Sequence, residues 1–203
     1  MLAAVILAAG ESSRMGRPKA LLPSRGRTFL QHLLEITQHP RVGLTRVVLG
    51  AGGEEIRAAL RLDPAQIVVN PDWPKGQLSS LQAAIRSLPA GTTEGLILCP
   101  VDHPLVSSTL IGKLIEALDS KHKLIVLPTY KNRRGHPVIF RASLYAKLLA
   151  ASPELGARQV VWAHADAVEE VPTEEEGVVL NLNDPETLRR ALESRDPAAD
   201  IEL

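Results

Sequence analysis

The chain has 203 residues, 45% of them hydrophobic and only 3% aromatic, enough for one well-buried core built mainly from Leu, Val, Ile and Ala. Its 23 basic and 23 acidic residues cancel to a formal net charge of zero, which excludes a bulk field drawing it to nucleic acid or anionic membrane. The single cysteine, Cys99, excludes an internal disulfide and a multi-cysteine zinc site and fits a reducing compartment.

Residues 1–9 are apolar, but no Lys or Arg precedes them and a glycine-rich basic segment follows without an obvious cleavage site, so they do not read as a signal peptide. No apolar stretch approaches the roughly 20 residues that span a bilayer. A cytoplasmic protein without membrane or nucleic-acid partners is expected.

Residues 2–8 read as a buried strand and 29–38 as a helix. Strands follow at 46–49, 66–69, 95–99 and 124–127, alternating with helices at 54–60, 78–88 and 109–118, the last capped by Ser107 or Ser108. Beyond Pro128 the rhythm changes. Residues 130–134 are polar and 137–140 form a returning strand; 143–150 and 157–164 are helical, 167–171 strand-like and 185–193 helical. Strands apolar on both faces and separated by helices predict an α/β fold: a mostly parallel, Rossmann-like sheet with helices on both faces and a β-hairpin extension. One domain is expected over residues 1–195, with 196–203 as a flexible tail.

In open α/β sheets ligands bind beyond the carboxyl ends of the strands, so the polar segments there carry the functional argument. After the first strand comes Leu7-Ala8-Ala9-Gly10-Glu11-Ser12-Ser13-Arg14-Met15-Gly16-Arg17-Pro18-Lys19. Gly10 and Gly16 permit backbone amides to turn toward an anion, and three cations suit a triphosphate better than one phosphate. The glycine spacing matches neither Gly-x-x-x-x-Gly-Lys-Ser/Thr nor Gly-x-Gly-x-x-Gly. A solvated glycine turn is the plain alternative, and position and composition favour a phosphate loop over it.

After the third strand, Asn70-Pro71-Asp72 gives a turn. Ser79 and Ser80 sit near a helix start, where they can cap the helix or hold an anion. Asp102, in Pro100-Val101-Asp102-His103-Pro104, is a hard-oxygen ligand suited to Mg²⁺, though a turn-capping role is the commoner fate of such an aspartate. Arg133-Arg134-Gly135-His136-Pro137 could serve an anionic acceptor or be a solvated turn. In Asn181-Leu182-Asn183-Asp184-Pro185, Asp184 can cap the last helix with Pro185 at its first position.

Three sets of residues carry a resemblance to a known family: Leu7-Ala8-Ala9-Gly10, Arg14-Met15-Gly16 and Pro18-Lys19-Ala20-Leu21-Leu22-Pro23; Asn70-Pro71-x-Trp73-x-x-Gly76-x-x-Ser79-Ser80-Leu81; and Arg134-Gly135-His136-Pro137-Val138. Together they resemble the MobA-like NTP transferases with a nucleotide-diphospho-sugar-transferase-like fold, and within them the molybdenum cofactor cytidylyltransferase branch, over nearly the whole chain. The resemblance implies transfer of CMP from CTP to molybdopterin cofactor with release of pyrophosphate. It implies Arg14, Lys19 and Asp102 as catalytic residues, and Leu7, Ala8, Ala9, Gly10, Arg14, Lys19, Gln77, Ser79 and Ser80 around the nucleotide. His103, Arg134, Gly135 and His136 would line the acceptor site. Asp102 and Asn183 would hold Mg²⁺, or Mn²⁺ in its place. Both Asn181 and Asn183 are amides where that branch more often carries Asp, which predicts weaker metal binding before the NTP arrives. His103 stands where relatives often carry Gln.

The implied partners are an NTP, a phosphorylated small molecule, and a molybdenum hydroxylase or its assembly factor. Another base, a sugar or polyol phosphate acceptor, and a non-catalytic nucleotide or cofactor carrier are the alternative readings.

Overall fold

The computed structural model describes residues 1–24 and 26–193. Strand β1 (Leu2–Ala8) is buried along its full length, as an inner strand covered on both faces must be. Its side chains alternate: Leu2, Ile6 and Ala8 enter one core and Ala3, Val5 and Leu7 the other. A small hairpin, β2 (Pro23–Ser24) and β3 (Arg27–Thr28), leads into α1 (Phe29–Ile36), which Thr28 and Gln31 open with a capping box.

Next come β4 (Val42–Leu49), α2 (Gly53–Ala59), β5 (Ile67–Val69), α3 (Gln77–Ser87), β6 (Gly95–Pro100) and α4 (Ser108–Lys121). The cap of α4 is Ser107, whose hydroxyl accepts from the Leu110 N–H at 3.1 Å. The chain continues through β7 (Ile125–Tyr130), β8 (Arg133–Arg134), β9 (Val138–Arg141), α5 (Tyr145–Ala150), α6 (Arg158–Ala163), β10 (Val168–Pro172) and α7 (Pro185–Glu193).

The main sheet runs β10-β7-β9-β6-β1-β4-β5, with β8 paired to β7. The pairs β1–β4, β1–β6, β4–β5 and β10–β7 are parallel. The hairpin expected after Pro128 is present: β8 returns against β7 across Lys131 and Asn132, both at positive φ, the pattern of a two-residue hairpin turn. The order of the strands adds what periodicity could not tell. Strand β9 slots between β6 and β7, antiparallel to both, rather than extending an edge.

Helices α1, α4 and α7 pack on one face through Phe29, Leu33, Leu110, Leu114 and Leu188. Helices α3, α5 and α6 cover the other through Leu78, Leu81, Ile85, Leu148 and Val160. The expected tail, residues 196–203, lies outside the described residues. No helix among the described residues is long and apolar enough to cross a membrane.

Candidate functional site

The carboxyl ends of β1 and β6 meet on one rim. A cavity of about 210 Å³ opens there, lined by Leu7, Ala8, Ala9, Gly10 and Lys19 from the first loop, Gln77 and Ser80 from the start of α3, and Asp102 after β6. The first loop is pinned in two ways: Lys19 N–H donates to Ser12 Oγ at 3.0 Å, and Gly16 takes the left-handed conformation at φ 69°, which only glycine adopts without cost. Gly10 stays outside that region; the other left-handed residue of the loop is Ser12, at φ 57°. Arg14 is exposed on a 3₁₀ turn, outside the cavity lining but close enough to act on the charge of Lys19.

Lys19 links two segments 164 residues apart in sequence: its ammonium donates to Asn183 Oδ1. Partial burial holds its pKa below the ordinary lysine value; Asp102 pulls it back up, Arg14 adds to the depression, and Asp184 again raises it. The segment bearing Asn183 is tied to the Asp102 turn, because Leu182 N–H donates to the Asp102 carbonyl at 2.9 Å. Asp184 then caps α7, accepting from the Thr187 N–H and hydroxyl at 2.8 Å each, with Pro185 as the first helical residue. Those bonds, the backbone one first, hold its carboxyl below the usual range.

The hydroxyls expected at the nucleotide behave differently from one another. Ser80 lines the cavity. Ser79 is not among its lining residues; it donates toward the Asp72 and Gly76 carbonyls, both at 2.8 Å, and so fixes the loop before α3. Trp73 lines the cavity and packs against the core.

A larger cavity of about 510 Å³ adjoins the first, sharing Leu7 and Gln77 with it. Its floor is apolar, formed by Leu78, Leu81, Leu98, Leu127, Val138 and Phe140, and Arg134, Gly135 and His136 stand at one side. Arg134 is committed to an ion pair with Glu170 at 2.6 Å, so its charge is partly offset. Sequence reasoning missed the opposite wall, Leu155, Arg158 and Trp162. There the Arg158 guanidinium lies 5.3 Å from the Trp162 ring centroid, and Trp162 is 58% exposed. The signal available was a tryptophan on a helix face with no core to join.

His103 lines neither cavity. It stacks on His136, centroids 4.8 Å apart and planes 15° apart, so it backs the loop that leads into β9. Burial, with a smaller contribution from His103, pushes the His136 imidazole down to about 3. His103 is also lowered, first by burial, with Asp102 and the Gly177 backbone opposing and Lys19 adding to the depression. Both rings are neutral at neutral pH. Among the described residues no three His, Cys, Asp or Glu gather as a metal cage.

The geometry meets its counterpart among known proteins. Residues 4–168 match the model of the MobA-like NTP transferase domain. The nicotine blue oxidoreductase of Paenarthrobacter nicotinovorans is 36% identical over 76% of this chain and 78% of its own length. The molybdenum cofactor guanylyltransferase of Rhizobium meliloti is 30% identical over 96% and 94%. The solved structure of Rv0371c from Mycobacterium tuberculosis H37Rv superposes with a TM-score of 0.80 at 27% identity, covering 95% of this chain and 97% of that one. The chain thus belongs to the MobA-like NTP transferase family and is a nucleotidyltransferase on the nucleotide-diphospho-sugar-transferase-like fold.

Proposed function

We propose that the chain transfers CMP from CTP to a phosphorylated acceptor, molybdopterin cofactor, and releases pyrophosphate. The observation that carries this reading is the pair of adjoining cavities, the smaller rimmed by Lys19 and Asp102 and the larger floored by apolar side chains. A triphosphate in the first and an acceptor with a sizeable apolar body in the second would meet at Leu7 and Gln77. An acceptor phosphate oxygen then attacks the α-phosphorus in line; the new P–O bond forms as the bond to the β-phosphate bridging oxygen breaks.

The attacking oxygen is already anionic, so no strong general base is needed. Repulsion between two polyanions is the main obstacle. Lys19 and Arg14 would offset it at the triphosphate, Lys19 leaving Asn183 to do so. The Asp102 carboxylate and Asn183 amide are hard-oxygen donors of the kind Mg²⁺ or Mn²⁺ takes, with substrate phosphates completing the shell. Such a metal supplies charge neutralisation at the phosphates when bound. A structure of Rv0371c carries manganese by name, which supports a divalent ion here.

The base is the open choice in this proposal. Three motifs favour CTP, whereas the relative from Rhizobium meliloti is named a guanylyltransferase. Calorimetry with CTP, GTP, ATP and UTP in Mg²⁺ or Mn²⁺ tests it, and preference for GTP would overturn the cytidylyl assignment. The proposed setting is the cytoplasm, with a molybdenum hydroxylase or its assembly factor receiving the product.

The relative named nicotine blue oxidoreductase favours a second reading, an oxidoreductase using the same cavities. Pyrophosphate release on mixing NTP and acceptor separates the nucleotidyltransferase from both the oxidoreductase and a nucleotide carrier.

A further inference from the structure

Asn70 is buried, 3% exposed, just after β5. Its amide cannot be flipped. Asn70 Oδ1 accepts from the Asp72 backbone N–H at 3.0 Å, a group that only donates, so Nδ2 must face α3. There its two protons go to two hydroxyls, Ser79 Oγ at 2.9 Å and Ser80 Oγ at 3.0 Å. The strand end holds the arrangement in place through Asn70 N–H, which donates to the Leu49 carbonyl at 2.8 Å.

The two serines then differ in what remains to them. Ser79 gives its proton to a carbonyl of the loop, Asp72 or Gly76. Ser80 is 4% exposed, accepts from Asn70, and has no acceptor for its own proton among the described residues. A buried hydroxyl proton left unmatched costs about 1–3 kcal/mol. Ser80 lines the smaller cavity beside Leu7, Gly10 and Gln77.

We infer that Asn70 is a positioning residue that turns the Ser80 hydroxyl proton into the nucleotide cavity, so that the nucleotide is read there through an acceptor atom such as a base carbonyl or an unprotonated ring nitrogen. This rests on the nucleotidyltransferase reading of that cavity. Replacing Asn70 by a carboxylate reverses the relation: the carboxylate takes the Ser80 proton and leaves only lone pairs facing the cavity. The bond from Asp72 N–H survives in that variant, so the turn is kept.

The test is the coupling between the two positions, measured by calorimetry of CTP binding with Mg²⁺. Ser80→Ala in the natural protein loses affinity by up to about tenfold, as for one neutral hydrogen bond. In the Asn70→Asp background the same Ser80→Ala change costs nothing, because the donor has already been turned away. This difference is free of the charge that Asn70→Asp adds, since both arms of the second comparison carry it. Ser80→Thr, which keeps the hydroxyl, retains more affinity than Ser80→Ala.

Equal losses from Ser80→Ala in both backgrounds would overturn the inference, as would no loss in either. Should Asn70→Asp fail to fold by thermal melting, the comparison of Ser80→Ala with Ser80→Thr decides, and equal affinities sink it. If the natural protein binds none of the four NTPs, the nucleotidyltransferase reading falls first and this one with it. Intact NTP binding with uncoupled positions removes only the role of Asn70.

Discussion

Gly135 is where the loop leading into β9 meets the segment around Val178, and a single methyl group tests that contact. A Cβ placed on Gly135 would lie 2.3 Å from the Val178 carbonyl oxygen, 2.7 Å from its carbon and 2.9 Å from Val178 Cβ, where ordinary contact begins at 3.4 Å. Neither side can retreat freely. Gly135 N–H donates to the Pro128 carbonyl and His136 N–H to the Val178 carbonyl, both at 2.9 Å, and Val178 is fully buried.

Overpacking of this kind costs about 1–3 kcal/mol, and straining one or two of those bonds adds about 0.5–1.5 kcal/mol each. Gly135→Ala should therefore lose about 2–4 kcal/mol, a fall in Tm of roughly 5–15 °C for a chain of this size. Because the loop bearing Arg134 and His136 must move, KM for the acceptor should rise more than KM for the NTP. Circular dichroism melting and steady-state kinetics read both. A Tm within about 2 °C of the natural protein would refute the packing argument, and equal changes in the two KM values would detach this loop from the acceptor.

Asp102→Ala or Lys19→Ala should each lower turnover on the order of a hundredfold, as expected for losing a preorganised charge stabiliser; pyrophosphate release measures this, and a near-normal rate removes that residue from the mechanism. Asn183→Asp should tighten Mg²⁺ binding to the protein without NTP, seen by direct titration, whereas equal affinities would discard the role of amide for carboxylate here. The new carboxylate would also hold Lys19 more firmly, so KM for the NTP should rise. Stability should depend on His136: the unfolded imidazole titrates near 6.5 and the folded one near 3, so the unfolded chain binds the extra proton between those values. Stability is then full above about pH 6.5 and declines as pH falls toward 3, by at most about 5 kcal/mol; denaturant melts across that range should show a shallower slope in His136→Gln, and an unchanged slope would refute the assignment.

Much of this rim was legible because local rules and tertiary packing agree there. The alternation of apolar runs with helical periods gave β1 at its observed limits and α7 from its observed start, which Asp184-Pro185 announced. What stayed hidden depends on contacts distant in sequence. Nothing local distinguishes a strand added at an edge from β9 inserted between β6 and β7. The meeting of Lys19 with Asn183 is likewise a property of the sheet order and not of either segment. Ser79 and Ser80 look equivalent as neighbouring serines; only the orientation of the Asn70 amide separates a loop clamp from a cavity group. Arg158 and Trp162, on the helix expected at 157–164, and Leu155 before it carried no functional assignment, because the wall they form needs the floor laid by β7, β9 and α3.

The reversed strand β9 has a consequence for how this rim can change. By running against its neighbours it starts where they finish, and it holds β6 and β7 about 10 Å apart, two strand spacings instead of one. In the proposed reading the triphosphate's seat draws on the ends of β1 and β6, while the acceptor's reaches past them to β7 and the turn that feeds β9. Insertions in that turn would reshape chiefly the larger seat, so a lineage could exchange acceptors with little change to its triphosphate machinery.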